Sequence, residues 1–442
     1  MTKIWLLLWA AIFLKVSMSD TRAQPTSSQI IGLSNGAKYE LVGTTYGISN
    51  TPPSFLNNSG APLTQFNVGE KAESPQFFVW FQTNAPSTKP MPTLIARLAD
   101  QNGVERGAST YPAFASGVTL SYAEFPIVPR RSQQLQCNFY PFDEISLSPV
   151  VSISFSNPLY GYFPEWKPEP VPVVKKVGGL EVRLVNLMTG IEKSGRPPVL
   201  ANGKQGIDIQ PAKYGIHLAT FFDVSLNSER GTNEEWVVQN AELSDATGNV
   251  LAFPSKSSSS GDNVSPMTFS GEYRLSIPGT LWPDEAAWRL KLDLKRKSGF
   301  TPDELVTFKN VPVPKIGTTN FPPITNTVGG VQLVLKEFVE NGDRTNIRYP
   351  FGTNANYFVN DHTPETMVAV ELPDHPEGVA VDFVKMIADT GEIFEKHGNS
   401  WAPFYRGASL KFIPTNAQTV DISWVVQKMR SVEFLVKPPL AN

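Results

Sequence analysis

Side chains that could do chemistry are few in this 442-residue chain, and they are spaced for little of it. There are four histidines: His217, His362, His375 and His397. None stands in H-E-x-x-H or in another zinc spacing. Asp361-His362 and Asp374-His375-Pro376 flank the apolar run Met367–Glu371. Two His and two Asp at the ends of one strand form a donor set that a transition metal accepts. A hydrolase built on His362, His375 and nearby carboxylates would need those groups to converge in one concave pocket. No further ligand spacing accompanies them, and the sequence predicts neither a resident metal nor a cofactor. His217 opens an apolar run and reads as structural.

Other catalytic patterns fail on context. Gly32-Leu33-Ser34-Asn35-Gly36 spells G-x-S-x-G, which activates a serine only on a strained turn from strand into helix. The residues after Gly36 alternate as a strand, and the segment reads as a plain turn. Asp100, Asp245 and Asp389 recur at matching turns. Calcium would need six to eight oxygens there, and the neighbours supply few, so each Asp is expected to bond backbone N–H groups of its own turn. Glu234-Glu235 and Asp284-Glu285 read as solvated surface, without the cleft that a glycosidase pair requires. Arg130-Arg131 and Lys295-Arg296-Lys297 are too small and scattered for a binding stripe. No Walker or dinucleotide glycine pattern is present.

What remains is a candidate contact surface. Asn399-Ser-Trp401-Ala-Pro-Phe404-Tyr405-Arg406-Gly407 places aromatics and an Arg outside the clear strands. Trp401, Phe404, Tyr405 and Arg406 are side chains of the kind that stack on sugar rings or anchor a protein partner. A second cluster, Tyr160-Gly-Tyr162-Phe163-Pro-Glu-Trp166, is expected to pack at a junction between domains.

The elements that must position these residues come as three copies of one pattern. Leu98-Ala-Asp100-Gln-Asn-Gly103, Val128-Pro129, alternating Leu135, Cys137 and Phe139, and Phe155-Ser-Asn-Pro158 form the first. Leu243-Ser-Asp245-Ala-Thr-Gly248, Ile277-Pro278, then Trp288, Leu290, Leu292 and Leu294, and Phe308 with Pro312, form the second. Ile387-Ala-Asp389-Thr-Gly391, Ile413-Pro414, then Val420, Ile422, Trp424 and Val426, and Phe434 through Pro438, form the third. A period of about 145 residues is the signature of a duplicated domain rather than of a short repeat. Upstream, Gly178-Gly179-Leu180 and Gly329-Gly330-Val331 open matching strands. Each copy reads as about seven short strands with turn signals between them and no helical period. The expected fold is all-β: three tandem immunoglobulin-like antiparallel β-sandwich domains joined by Pro-rich linkers. Trp288 and Trp424 are expected core anchors at comparable positions.

The boundaries follow from composition. Lys3, the apolar run Ile4–Leu14 and Thr21-Arg22-Ala23 read as a signal peptide over residues 1–23. Domains are expected at 30–162, 178–314 and 329–440, with linkers at 163–177 and 315–328. The first linker, Phe163-Pro-Glu-Trp-Lys-Pro-Glu-Pro-Val-Pro172, favours extended polyproline geometry and reads as a semi-rigid spacer. Ser255–Gly261 reads as a mobile hairpin loop.

Charge and cysteine count narrow the function. The formal net charge is −3, and losing residues 1–23 makes it about two charges more negative, which gives no attraction to nucleic acid. The single cysteine, Cys137, excludes an intrachain disulfide and reads as a buried, inert thiol. Stability must then come from large cores. The expectation is an exported, secreted or periplasmic, non-enzymatic protein without a membrane span after signal cleavage. It would interact with or space a protein or glycan partner at the cell envelope or outside the cell. The alternative is a carbohydrate-recognition or accessory module of a secreted polysaccharide-degrading system.

Overall fold

A computed structural model describes residues 30–32, 38–48, 75–84, 94–115, 118–141, 148–192, 209–210, 218–228, 234–253, 267–269, 272–315, 321–341, 365–374, 376–402, 405–411, 413 and 416–439. The described chain is all-β, its one helical turn being the 3₁₀ turn Pro302–Glu304. In the first repeat lie β1 (Ile30–Gly32), β2 (Lys38–Gly47), β3 (Gln76–Asn84), β4 (Leu94–Ala99), β5 (Glu105–Ala115), β6 (Val118–Phe125), β7 (Gln134–Pro141) and β8 (Val151–Ser156). The second holds β9 (Val173–Val177), β10 (Leu180–Glu192), β11 (Ile209–Gln210), β12 (Leu218–Ser228) and β13 (Trp236–Asp245). It continues with β14 (Val250–Phe253), β15 (Met267–Phe269), β16 (Glu272–Pro278), β17 (Trp288–Arg296) and β18 (Leu305–Pro312). The third holds β19 (Ile324–Val328), β20 (Val331–Asn341), β21 (Glu365–Glu371), β22 (Val379–Ala388) and β23 (Ile393–Phe394). It closes with β24 (Lys396–Ala402), β25 (Tyr405–Lys411), β26 (Thr419–Lys428) and β27 (Arg430–Val436).

One pairing order recurs three times, all of it antiparallel. The first repeat runs β1-β2-β3-β6-β5-β4-β7-β8. Its β5 serves both halves, since Glu105–Ala108 pair with β4 and Ser109–Ala115 with β6. In the second repeat β14 pairs with β13 and β15 with β16. In the third, β23 pairs with β22 and β24 with β25. The opening hairpins turn on Gly178-Gly179 and Gly329-Gly330, all four with φ between 55° and 82°. Two consecutive left-handed residues make the hairpin turn that matches strand twist, and glycine takes that conformation without a Cβ clash. The strand after each hairpin slips register at the same place: Leu41/Gly43, Leu184/Asn186 and Leu335/Glu337. A bulge held in three copies is a feature of the pattern.

The alternation read from sequence places the core. Leu290, Leu292 and Leu294 are buried while Arg289, Lys291 and Asp293 are half-exposed, as a strand with one wet face requires. Cys137 is buried among such side chains. Loss of hydration, then the nearby Glu105 carboxylate, pushes its thiol far above the ordinary range.

At the closing strands the structure departs from a self-contained partition. Strand β8 stays with its own repeat and pairs with β7. Strand β18, expected to close 178–314, pairs with β26 of the third repeat. Strand β27, expected to close 329–440, pairs with β17 of the second. The cores follow: Val432, Phe434 and Val436 lie with Leu290 and Leu292, whereas Val306, Phe308 and Val311 lie with Ile422 and Trp424.

Three further expectations need correction. The third turn has the same length as the others but carries its Asp one place later. Ala388 makes the two backbone bonds, to Glu392 and from Gly391, that Asp100 and Asp245 make at their turns. Asp389 lies one place further on and accepts from Gln418 and Thr419 N–H at the start of β26. Trp288 and Trp424 are both buried, but Trp288 sits opposite Asp245 at the turn end and Trp424 opposite Phe383 in mid-strand. Residues 173–177 and 324–328 of the linkers are strands, and the Pro-rich stretch before β9 is docked rather than free. The Glu169 N–H donates to the Leu435 carbonyl at 2.7 Å, and the Leu435 N–H donates to Glu169 Oε2 at 3.0 Å. The exposed edge of β27 needs such a cover, and an extended linker supplies it.

Candidate functional site

The best-built polar arrangements lie where repeats meet. Asn249 comes just after the Asp245 turn and is 3% exposed. Its Oδ1 accepts the Val128 N–H at 2.9 Å, and its Nδ2 donates to the Val128 carbonyl at 2.8 Å and to Asp245 Oδ2 at 2.8 Å. Asp245 Oδ1 accepts from the Thr247 and Asn249 N–H groups, which fixes the turn that presents Asn249. One side-chain amide thus satisfies both backbone groups of a buried residue in the neighbouring repeat.

Arginines surround this contact. Arg130 donates to the Thr247 carbonyl at 2.8 Å and to the Tyr46 hydroxyl at 2.6 Å. Arg131 grips Glu285 with two parallel bonds, 2.9 and 3.1 Å, and reaches the Phe163 and Pro164 carbonyls. Arg106 donates to the Leu281 carbonyl at 3.0 Å and lies over the Trp282 ring. Burial lowers Arg106 to about 10. Loss of hydration raises Glu285 against the pull of Arg131, and it raises Asp284 together with the nearby Asp100 charge. Asp100 itself is raised by burial although Asn102 and Val104 donate to its Oδ1. Glu285 is therefore an internal partner rather than solvated surface.

The second and third repeats meet through the same device. Gln427 Oε1 accepts the Arg296 N–H at 2.8 Å and Gln427 Nε2 donates to the Arg296 carbonyl at 2.8 Å. Lys295 pairs with Asp382 at 2.7 Å. Arg296 reaches Glu234 at 3.5 Å and bonds Glu304. From the two short basic runs that look scattered in sequence, Arg130 and Arg131 thus fasten the first junction, and Lys295 with the Arg296 backbone the second. Sequence reasoning does not single out Asn249 or Gln427, because a lone amide after a turn, or near a strand end, looks like any surface amide.

The candidate contact residues occupy a hairpin rather than a loop outside the strands. Trp401 is opposite Arg406 and Ala402 opposite Tyr405 in the β24–β25 register. Tyr405 donates to Glu371 at 3.4 Å, beside the Lys336–Glu371 ion pair. Arg406, next along the strand, feels Asp382 instead. Consecutive strand residues face opposite ways, so Tyr405 and Arg406 do not share one surface. Phe404 and the Trp401 side chain lie outside the described residues. So do Asp361, His362, His375, His217, the His397 side chain and Ser255–Gly261; Asp374 is in an exposed turn. Among the described residues no three His, Cys, Asp or Glu side chains are placed to hold a metal. Residues 33–36 of the G-x-S-x-G segment are also outside, but their flanks are antiparallel partners, Gly32 opposite Lys38, with no helix after them. The second aromatic cluster divides: Tyr162 is 96% exposed and Tyr160 43%, while Trp166 stacks under Arg289. No helix among the described residues is long and apolar enough to cross a membrane.

Comparison with known proteins returns nothing: no family model, no curated protein and no solved structure matches the chain.

Proposed function

We propose that this is an exported, non-enzymatic protein of three tandem immunoglobulin-like β-sandwiches, which holds or spaces a protein or glycan partner at the cell envelope or outside the cell. The observation that carries the reading is the investment of buried polar groups at the junctions. Asn249 on Val128 and Gln427 on Arg296 fix how one repeat meets the next. An array whose task is spacing needs set junctions, whereas a chain of independent binding modules does without them. The signal-like segment 1–23 supports export. The ion pairs Arg131–Glu285 and Lys295–Asp382 also join repeats, which supports the same reading.

The test is a pull-down with the mature chain, residues 24–442, from its native envelope fraction. A partner recovered in fixed stoichiometry, and released by Asn249→Ala or Gln427→Ala although the repeats stay folded, supports a spacing role. Hydrolysis of a chromogenic glycoside or ester panel that is lost in His362→Ala, with no partner recovered, would sink it.

A further inference from the structure

Strand β27 completes a sheet of the second repeat although its chain neighbours β19–β26 build the third. Met429 alone separates β26 from β27, so residues 419–436 run as one extended segment across two sheets. Its antiparallel partner is 288–312. Pro312 to Leu305 lie opposite Thr419 to Val425, and Leu294 to Trp288 lie opposite Arg430 to Val436. Only 297–304 leave the ribbon, and Gln427 bonds Arg296 where they leave it. Strand β18 gives Val306, Phe308 and Val311 to the third core, and β27 gives Val432, Phe434 and Val436 to the second, all six buried.

We infer that the C-terminal strand is a keystone: the second and third repeats open only together, and the second repeat's sheet closes only when residues 430–436 have docked. Detaching β27 strips three core side chains from the second repeat, unpairs the outer edge of β17 and frees Glu169 from Leu435. Detaching β18 does the same to β26 and the third core. Both strands belong to one ribbon, so opening from either end must pass through the Arg296–Gln427 contact. Local opening normally follows contiguous supersecondary units; here the unit spans two repeats. The first repeat keeps its own β8 and stands outside the ribbon. This inference concerns assembly and holds whatever the chain binds.

Two experiments on the full mature chain test it. Lys291 and Glu433 are register partners, half-exposed and exposed, so Lys291→Cys with Glu433→Cys perturbs no core. Mild oxidation is expected to link 291 to 433 within one chain, found by peptide mapping. No link, or links only between chains, would overturn the pairing. Hydrogen exchange in rising urea is then expected to show β13, β17, β18 and β26 losing protection along one curve, and the disulfide to shift all four together. Separate curves for β13–β17 and for β18–β26, or a shift of only one pair, would overturn the joint opening. In Phe434→Ala exchange should rise about tenfold or more in both pairs; a rise confined to one repeat refutes the inference, and the disulfide experiment decides if that variant does not fold.

Discussion

Gln427 pairs with Arg296 as though it were a strand residue, accepting its N–H and donating to its carbonyl, each at 2.8 Å. A carboxamide offers one acceptor and two donors in a plane, much like a peptide group. At 3% exposure it completes the ladder at the point where the ribbon leaves one sheet for the next. Asn249 does the same for Val128 at the other junction.

Gln427→Leu keeps the volume and removes both bonds, so a buried N–H and a buried carbonyl lose their partners. Each orphaned group costs about 1–3 kcal/mol, so the variant should lose on the order of 2–4 kcal/mol in urea unfolding at neutral pH. Gln427→Glu keeps an acceptor for the Arg296 N–H but sets a carboxylate against its carbonyl. Protonation restores a donor, so the folded state favours the protonated form and raises that pKa. The variant should therefore recover stability as pH falls and lose it again as pH rises. A wild-type midpoint in Gln427→Leu would remove the clamp from the account.

Asn249→Ala should loosen the first junction rather than dissolve either repeat. The Val128 N–H and carbonyl lose their bonds, and Asp245 Oδ2 loses a donor. Hydrogen exchange at Val128–Ser132 should rise while β12 and β17 keep their protection. Asn249→Asp, which cannot donate to the Val128 carbonyl when ionised, should behave similarly above the carboxylate range. Unchanged exchange at Val128 would contradict the role given to Asn249.

Much of the fold is legible in the chain, and the part that is not has a physical reason. Alternation in Trp288–Leu294 and the paired glycines 178–179 and 329–330 announce strands and hairpins because side-chain period and left-handed φ are local properties. Strand neighbours are not local. Phe308 and Phe434 stand in closing strands of similar pattern, and an alternating strand shows which face is buried without showing which edge it joins. The turn at Ala388 misaligns with Asp245 in sequence because Asp389 looks like its counterpart; only the backbone bonds reveal that Ala388 holds that place. Tyr160 and Tyr162 read as junction packing because aromatics are usually buried, whereas Arg131 and Trp166 take that place.

Cys137 should report on the first core. Its thiol is fully buried and pushed far above its ordinary range by loss of hydration, then by Glu105. The thiolate is the reactive species, so a thiol reagent should label the native protein at a negligible rate near pH 8 and the urea-unfolded chain at once. Labelling through the urea transition would track β7, which carries it, and β4 and β8, which flank it. Rapid labelling of the folded protein would show that this core is not closed.

Glu340 should make stability depend on pH in an unusual direction. It is buried at one end of the third core, its Oε1 accepting from Thr366 Oγ1 at 2.6 Å while Oε2 finds no hydrogen-bond partner among the described residues. Loss of hydration raises its carboxyl to about 7, against the weaker opposing pull of Thr366 and the Ile413 N–H. In the unfolded chain the same group titrates near the ordinary carboxylate value of about 4.3. Between those values the folded state holds more protons than the unfolded state, so stability falls as pH rises through the window and levels off above about 7. Its share is on the order of 2–3 kcal/mol. Glu340→Gln keeps an uncharged amide in the site and removes that slope. The variant should match the wild type near pH 5 and exceed it at pH 8, as read by urea midpoints at both values. Glu337, also raised to about 7 by burial, remains to give the variant a residual slope of the same sign. A variant that is less stable than the wild type at pH 8, or that keeps the full slope, would show that Glu340 is ionised in the folded protein and bonded by groups outside the described residues.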